Sequence, residues 1–182
     1  MKMIKTHEFR TAVYEGHISF NQKKVLKILK SADHIIQPDV YMKTSFFKEK
    51  NILLYKDFKF LLDKCGLFFN YVAQQEKYKK LKVVASWFQI YQKGDFHQTH
   101  VHNTSSLTHK SWNFIFYIDC PKHSSKTIIL EPGYPYIDQA SPVAITPTVG
   151  GCVAFPGYIP HFVEPNKSSK RIILSCNVDF IL

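Results

Sequence analysis

"GGCVAFPGYIPHFVEPNKSSKRIILSCNVDF", residues 150–180, packs two apolar runs, a proline-glycine turn, one histidine and one arginine into a short span. The first run reads as a strand that stops at Pro156-Gly157, and His161 begins the next. From Lys170 the pattern alternates. Arg171, Ile173, Ser175 and Asn177 fall on one face of an extended chain, and Ile172, Leu174, Cys176 and Val178 on the other. The second set packs, so the first faces a cavity. An arginine aimed into an apolar interior is costly unless an anion meets it, and a guanidinium fork suits a carboxylate held at two points. An internal salt bridge would meet the same need.

The texture of this stretch extends back to about residue 81. "LKVVASWFQIYQ", "SWNFIFYIDC", "KTIILE" and "SPVAITP" are short, rich in β-branched and aromatic residues, and separated by Gly, Pro, Asn and Ser turns. They are not interleaved with helices, which points to an antiparallel sandwich or jelly roll. Residues 1–80 differ. Val25, Ile28, Leu29 and Ala32 recur at helical spacing among lysines, and Leu61, Leu62, Cys65, Phe68, Phe69 and Val72 repeat the pattern over three turns. The expected fold class is α+β, mainly β: one domain over 1–182, with mostly helical support over 1–80 and a β core over 81–182.

"FHQTHVHNTSS", residues 96–106, places three imidazoles within six positions. On an extended strand His100 and His102 share a face, with Val101 between them pointing away. An H-x-H pair alone also suits an exposed polar face. His161 is the candidate third ligand, and a packed core histidine is its alternative. Three neutral imidazoles on one side of an ion would leave the other coordination positions open for oxygen or water. His97 falls on the opposite parity and is expected at the rim or surface rather than as a ligand.

Of the 182 residues, 45% are hydrophobic and 21% charged, the balance of a packed globular chain rather than a disordered one. No window approaches the roughly 20 apolar residues of a membrane helix, and "MKMIKTHEFR" lacks the apolar core of a signal peptide. The four cysteines form no close pair, and together these features lead us to expect reduced core thiols and a cytoplasmic location. A net charge of +10 biases the chain toward anionic partners, although lysine runs such as "EKYKKLK" also fit a solvated helix face.

The order H-x-H, "FYI", "GGCVAFPGYIPH", "RIILSCN" resembles the iron(II)- and 2-oxoglutarate-dependent oxygenases, in particular their prolyl-hydroxylase-like group. The resemblance covers residues 87–180. It implies a double-stranded β-helix, with Fe(II), 2-oxoglutarate as cosubstrate, and O2. It further implies that His100, His102 and His161 are the catalytic metal ligands and that Arg171 anchors the distal carboxylate of 2-oxoglutarate, helped by Tyr117. Tyr91, Asn113 and Ser175 would line the cosubstrate pocket. Substrate contacts are expected at Trp87, Trp112 and the 131–142 loop. The implied reaction hydroxylates an unactivated C–H bond, with a prolyl residue of a peptide or protein as the suggested substrate and an anionic molecule as another. One departure stands out: the wider superfamily has Asp or Glu where this chain has His102, and a carboxylate there would lower the net charge at iron by one unit.

Two other readings compete. A metal-dependent cupin dioxygenase or isomerase shares the β-helix, and Gly94, His100 and His102 fit its first motif. That motif continues with a glutamate which "NTSSLTHK" lacks, and it has no need of an inward Arg171. A basic nucleic-acid-binding module would use the surface lysines and Phe46, Phe47, Tyr71 and Tyr78, without a recognisable motif.

Overall fold

The computed structural model describes residues 12–102, 109–130 and 142–181. In chain order the elements are β1 (Tyr14–His17), α1 (Gln22–Ser31), β2 (Gln37–Pro38), β3 (Lys43–Thr44), α2 (Lys59–Gln75), β4 (Lys80–Gln92) and β5 (His97–His100). They continue with β6 (His109–Asp119), β7 (Thr127–Ile129), β8 (Val143–Ile145), β9 (Gly151–Pro156), β10 (His161–Val163) and β11 (Lys170–Ile181). Seven strands form one sheet in the order β1-β9-β6-β11-β4-β3-β2, and four form a second, β5-β10-β7-β8. The strand pairings in both are antiparallel. This is the expected jelly roll, mainly β with helices on one face.

Side-chain parity divides the large sheet into two faces. Even-numbered positions of β6 and β11, among them Phe114, Phe116, Ile172, Leu174 and Cys176, pack in one cluster with helix residues Val25, Leu29, Leu61, Phe68 and Phe69. Odd-numbered Ile115, Tyr117 and Ile173 pack in a second cluster with Ile129, Ile145 and Val163 of the small sheet. The alternation read from Arg171 onward is therefore real: one set lies under the helices and the other looks into the space between the sheets.

Helix α1 begins where Asn21 Oδ1 accepts the Lys24 amide at 3.0 Å, supplying one of the acceptors that a first turn lacks. Its buried stripe is Val25 and Leu29. Helix α2 buries Leu61, Cys65, Phe68, Phe69 and Val72, with ring centroids 4.7 Å apart between Phe69 and Phe114. Each such phenylalanine contributes about 2–3 kcal/mol of burial. An added Cβ at Gly66 would meet nothing within 4 Å, so packing does not require a glycine inside this helix.

Residues before 80 also supply three strands that periodicity did not reveal. β2 and β3 are two residues each and β1 is four, too short to show a period of two. They form because the sheet edges at β4 and β9 offer unpaired backbone groups.

Candidate active site

His100 and His161 are direct cross-strand partners in the β5–β10 ladder, which is how two residues far apart in sequence come to touch. His102 lies just past the end of β5. Its amide donates to the Gly157 carbonyl at 2.8 Å, and the Gly157 amide donates to Ser111 at 2.8 Å, so the Pro156-Gly157 turn sets the position of His102. One ring nitrogen from each of His100, His102 and His161 lies within 4.8 Å of the others. Ring centroids are 4.2 Å apart for His100 and His161, 5.0 Å for His100 and His102, and 5.1 Å for His102 and His161.

Backbone carbonyls select the tautomers. His161 Nδ1 lies 3.1 Å from the Ile159 carbonyl and His100 Nδ1 lies 2.8 Å from that of Gln98. A nitrogen facing a carbonyl must carry the proton, which leaves each Nε2 lone pair to accept or coordinate. Burial, with neighbouring imidazoles, holds His161 well below the usual histidine range and His102 at about 4. Burial also lowers His100, although the Gln98 carbonyl opposes it. At neutral pH all three are uncharged, the form in which imidazole binds a cation.

His97 is nearer than parity suggested. The β5–β10 register shifts between the His161 and Val163 pairs, so one extra residue brings His97 and His100 to the same side. Their rings stack with centroids 4.0 Å apart. His97 remains outside the group of three, and burial lowers it to about 3.

These four neutral histidines make the unliganded protein sensitive to acid. Unfolded imidazoles take a proton near pH 6.5, whereas in the folded chain burial holds all four below that value, His102 at about 4 and His97 at about 3. The unfolded chain then binds more protons, so stability is full above pH 6.5 and is lost as pH falls toward 4. Urea midpoints of the metal-free protein are expected to drop between pH 7 and pH 5, and His97→Gln to flatten that drop. A midpoint independent of pH would contradict this.

Deeper between the sheets, Arg171 is fully buried. Its Nη2 donates to Thr127 Oγ1 at 2.8 Å, and the Tyr117 hydroxyl donates to the same oxygen at 2.9 Å. Its guanidinium carbon lies 4.9 Å from the Tyr91 ring centroid and 5.4 Å from that of Tyr117. Arg171 Nε and Nη1 and the Tyr91 hydroxyl have no hydrogen-bond partner. Burial pushes both tyrosine hydroxyls up, against the Arg171 charge. Among the described residues no carboxylate pairs with Arg171, so the internal salt bridge is not found there. A buried cation with two idle donors suits an incoming carboxylate.

Asn113 and Ser175 lie between the two ends. The Asn113 amide approaches His161 Nε2 at 3.3 Å, and the Ser175 hydroxyl donates to Gln89 at 2.9 Å. The gap they line holds only about 10 Å³ of free space. Outside it lies a cleft of about 280 Å³ that shares Gln89, His97, His100 and His102 with the gap and adds Trp87, Phe46 and Asn177. Trp87 stacks on His102 with centroids 5.7 Å apart.

Trp112, expected at the substrate, is instead on the helix side of β6 against Tyr14 and Phe180. Its even position puts it on the opposite face from Asn113. Of the expected 131–142 loop, residues 131–141 lie outside the described residues, as do 103–108 of "NTSSLT". Gln89 and Thr127 were not singled out, whereas Asn177 was named only as an inward position and Gly157 only as part of a turn. Gln89 and Asn177 lie on the inward parity of β4 and β11, a signal already available in the alternation. Thr127 and Gly157 carried none. A Cβ at Gly157 would sit 2.5 Å from the His102 carbonyl, a clash with backbone. Gly157→Ala is expected to displace His102 and weaken metal binding about tenfold, the order seen when a ligand's support is lost. Unchanged affinity by equilibrium dialysis would show that the turn does not set the ligand.

The fold is shared with solved proteins of low identity. A prolyl-4-hydroxylase from Pseudomonas putida is 12% identical over 94% of this chain and 92% of its own, with a TM-score of 0.65. The viral collagen prolyl hydroxylase of Paramecium bursaria Chlorella virus-1, solved with 2OG, is 11% identical over 93% and 96%, with a TM-score of 0.64. HygX from Streptomyces hygroscopicus, solved with nickel, 2-oxoglutarate and hygromycin B, is 9% identical over 92% and 82%, with a TM-score of 0.65. No curated protein matches in sequence. A family model described as "Putative 2OG-Fe(II) oxygenase" matches residues 85–177, just over half the chain and the span from β4 through the histidines to Asn177. The chain belongs to that family of oxygenases, enzymes that use Fe(II), 2-oxoglutarate and O2.

Proposed function

We propose that His100, His102 and His161 hold Fe(II), that Arg171 binds the distal carboxylate of 2-oxoglutarate, and that the enzyme hydroxylates an unactivated C–H bond. The observation that carries this is the pairing of three neutral imidazoles around one point with a buried guanidinium whose Nε and Nη1 are idle. Bound iron and cosubstrate supply the oxidising power, spending O2 to convert 2-oxoglutarate to succinate and carbon dioxide while oxygen is inserted into the substrate.

The protein binds, orients and excludes water. Ile159 and Gln98 carbonyls keep the ligand nitrogens unprotonated. Thr127, held by Tyr117, fixes one edge of the guanidinium so that its remaining donors face the cosubstrate. Tyr91, whose hydroxyl is idle and whose ring covers Arg171, adds a further donor to the same carboxylate. Asn113 and Ser175 line the path between the two ends. The aromatic cleft outside His102 receives the substrate, a prolyl residue in a peptide being the leading choice, since two of the proteins that share the fold carry prolyl hydroxylase in their names.

An anaerobic titration with Fe(II) and then 2-oxoglutarate tests the reading. A weak visible charge-transfer band is expected to grow and saturate at one equivalent. Iron binding without that band would favour the cupin reading instead, because Arg171 would then have no carboxylate to meet. Succinate release stimulated by a prolyl peptide would support the substrate, and its absence across prolyl peptides would remove it.

A further inference from the structure

Building on that oxygenase reading, we infer that the substrate carries a cationic group beside the residue that is hydroxylated, an ammonium or guanidinium on an apolar stem that the outer cleft holds. The walls of the outer cleft carry this. Phe46 meets Phe47 at 77° with centroids 5.8 Å apart, and Trp87 at 70° with centroids 5.2 Å apart. All three side chains line the cleft. Trp87 in turn stacks on His102, so the cleft abuts the histidine site. Phe47 is 57% exposed, an unusual position for a phenylalanine that only packs. Cations are drawn to aromatic faces by the ring quadrupole, and several rings around one cation are the usual way proteins hold ammonium groups.

Charge points the same way. Among the described residues, Asp39 is the one Asp, Glu, Lys or Arg side chain that lines this cleft. One of its oxygens accepts the Val40 amide at 2.7 Å. The chain has 24 Lys and Arg and a net charge of +10, yet among the described residues no Lys or Arg lines the cleft. The basic residues nearest in sequence, Lys43 and Lys48, are exposed, and β3 alternation sets Lys43 opposite the cleft-lining Thr44. The general positive field is screened within about 8 Å at physiological salt, so the rings and Asp39 decide what binds locally. The basic surface therefore does not make an anionic substrate the expected one.

The test uses Fe(II)- and 2-oxoglutarate-loaded protein without oxygen, at constant ionic strength, with tetramethylammonium chloride as probe. The neutral isostere tert-butanol, N-acetylprolinamide and sodium acetate serve as comparisons. Tryptophan fluorescence reports binding, and loss of the change in Trp87→Phe locates it in the cleft. Tetramethylammonium is expected to saturate at a concentration at least about tenfold below tert-butanol, and Asp39→Asn to remove most of that preference. Equal binding of cation and neutral isostere, tighter binding of acetate or N-acetylprolinamide, or an unchanged preference in Asp39→Asn would overturn the inference. The visible chelate band recorded in the same samples separates the two failures. A present band with no cation preference sinks only this inference, whereas an absent band sinks the oxygenase site.

Discussion

His161→Ala is expected to lose metal binding and, with it, the 2-oxoglutarate band and all turnover. His161 is the only one of the three imidazoles that is fully buried, and its Nδ1 is committed to the Ile159 carbonyl, so no other nitrogen can take its place. Losing even the outer partners of metal ligands costs about 10–100-fold in affinity, and losing a ligand from a set of three should cost at least about 100-fold. His97→Ala provides the contrast. It removes an imidazole stacked on His100 yet outside the three, and should leave metal binding within a few-fold of the parent. Equilibrium dialysis with Fe(II), alongside circular dichroism to confirm folding, measures both. If His161→Ala bound iron as the parent does, the three-histidine site would be wrong.

Arg171→Met is expected to bind iron normally and 2-oxoglutarate at least about 100-fold more weakly, since removing one partner of a buried charged pair costs about 2–5 kcal/mol. The same variant should be no less stable without ligands. The guanidinium is fully buried with Nε and Nη1 unpaired, a desolvation cost that methionine, of similar length, does not carry. Loss of the bond to Thr127 offsets part of that gain. The expected melting temperature of the metal-free variant therefore equals or exceeds that of the parent, while cosubstrate no longer raises it by ligand linkage. A large fall in melting temperature would mean that the arginine holds the fold together rather than a ligand. Stability given up at one buried residue so that an anion can be met is a common feature of functional sites.

Much of the site was legible because it lies on strands, where a period of two tells which side chains share a face. Arg171 and Ser175 could be assigned inward by parity, and Tyr117 and Asn113 followed from the resemblance. Parity misled in one place, and at another it was not applied. His97 was set on the wrong face because a bulge in β5 adds a residue to the count, and a bulge leaves no mark in a histidine-rich run. Trp112 was expected at the substrate, although its even position in β6 already placed it under the helices.

By itself the amino-acid order determined which segments are strands, which faces are apolar, and that an arginine must point inward, because these follow from local spacing and the cost of burying polar atoms. Only the tertiary structure decided that His161 stands directly across from His100, that Gly157 props the backbone of His102, and that Thr127 takes two donors. Those contacts join residues far apart in sequence, and their partners are chosen by how the two sheets stack and register, which spacing along one strand does not encode. The charge of the substrate cleft belongs to the same class. A count of +10 describes the whole chain, whereas Asp39, the single acid lining the cleft among the described residues, is set there by how the chain folds.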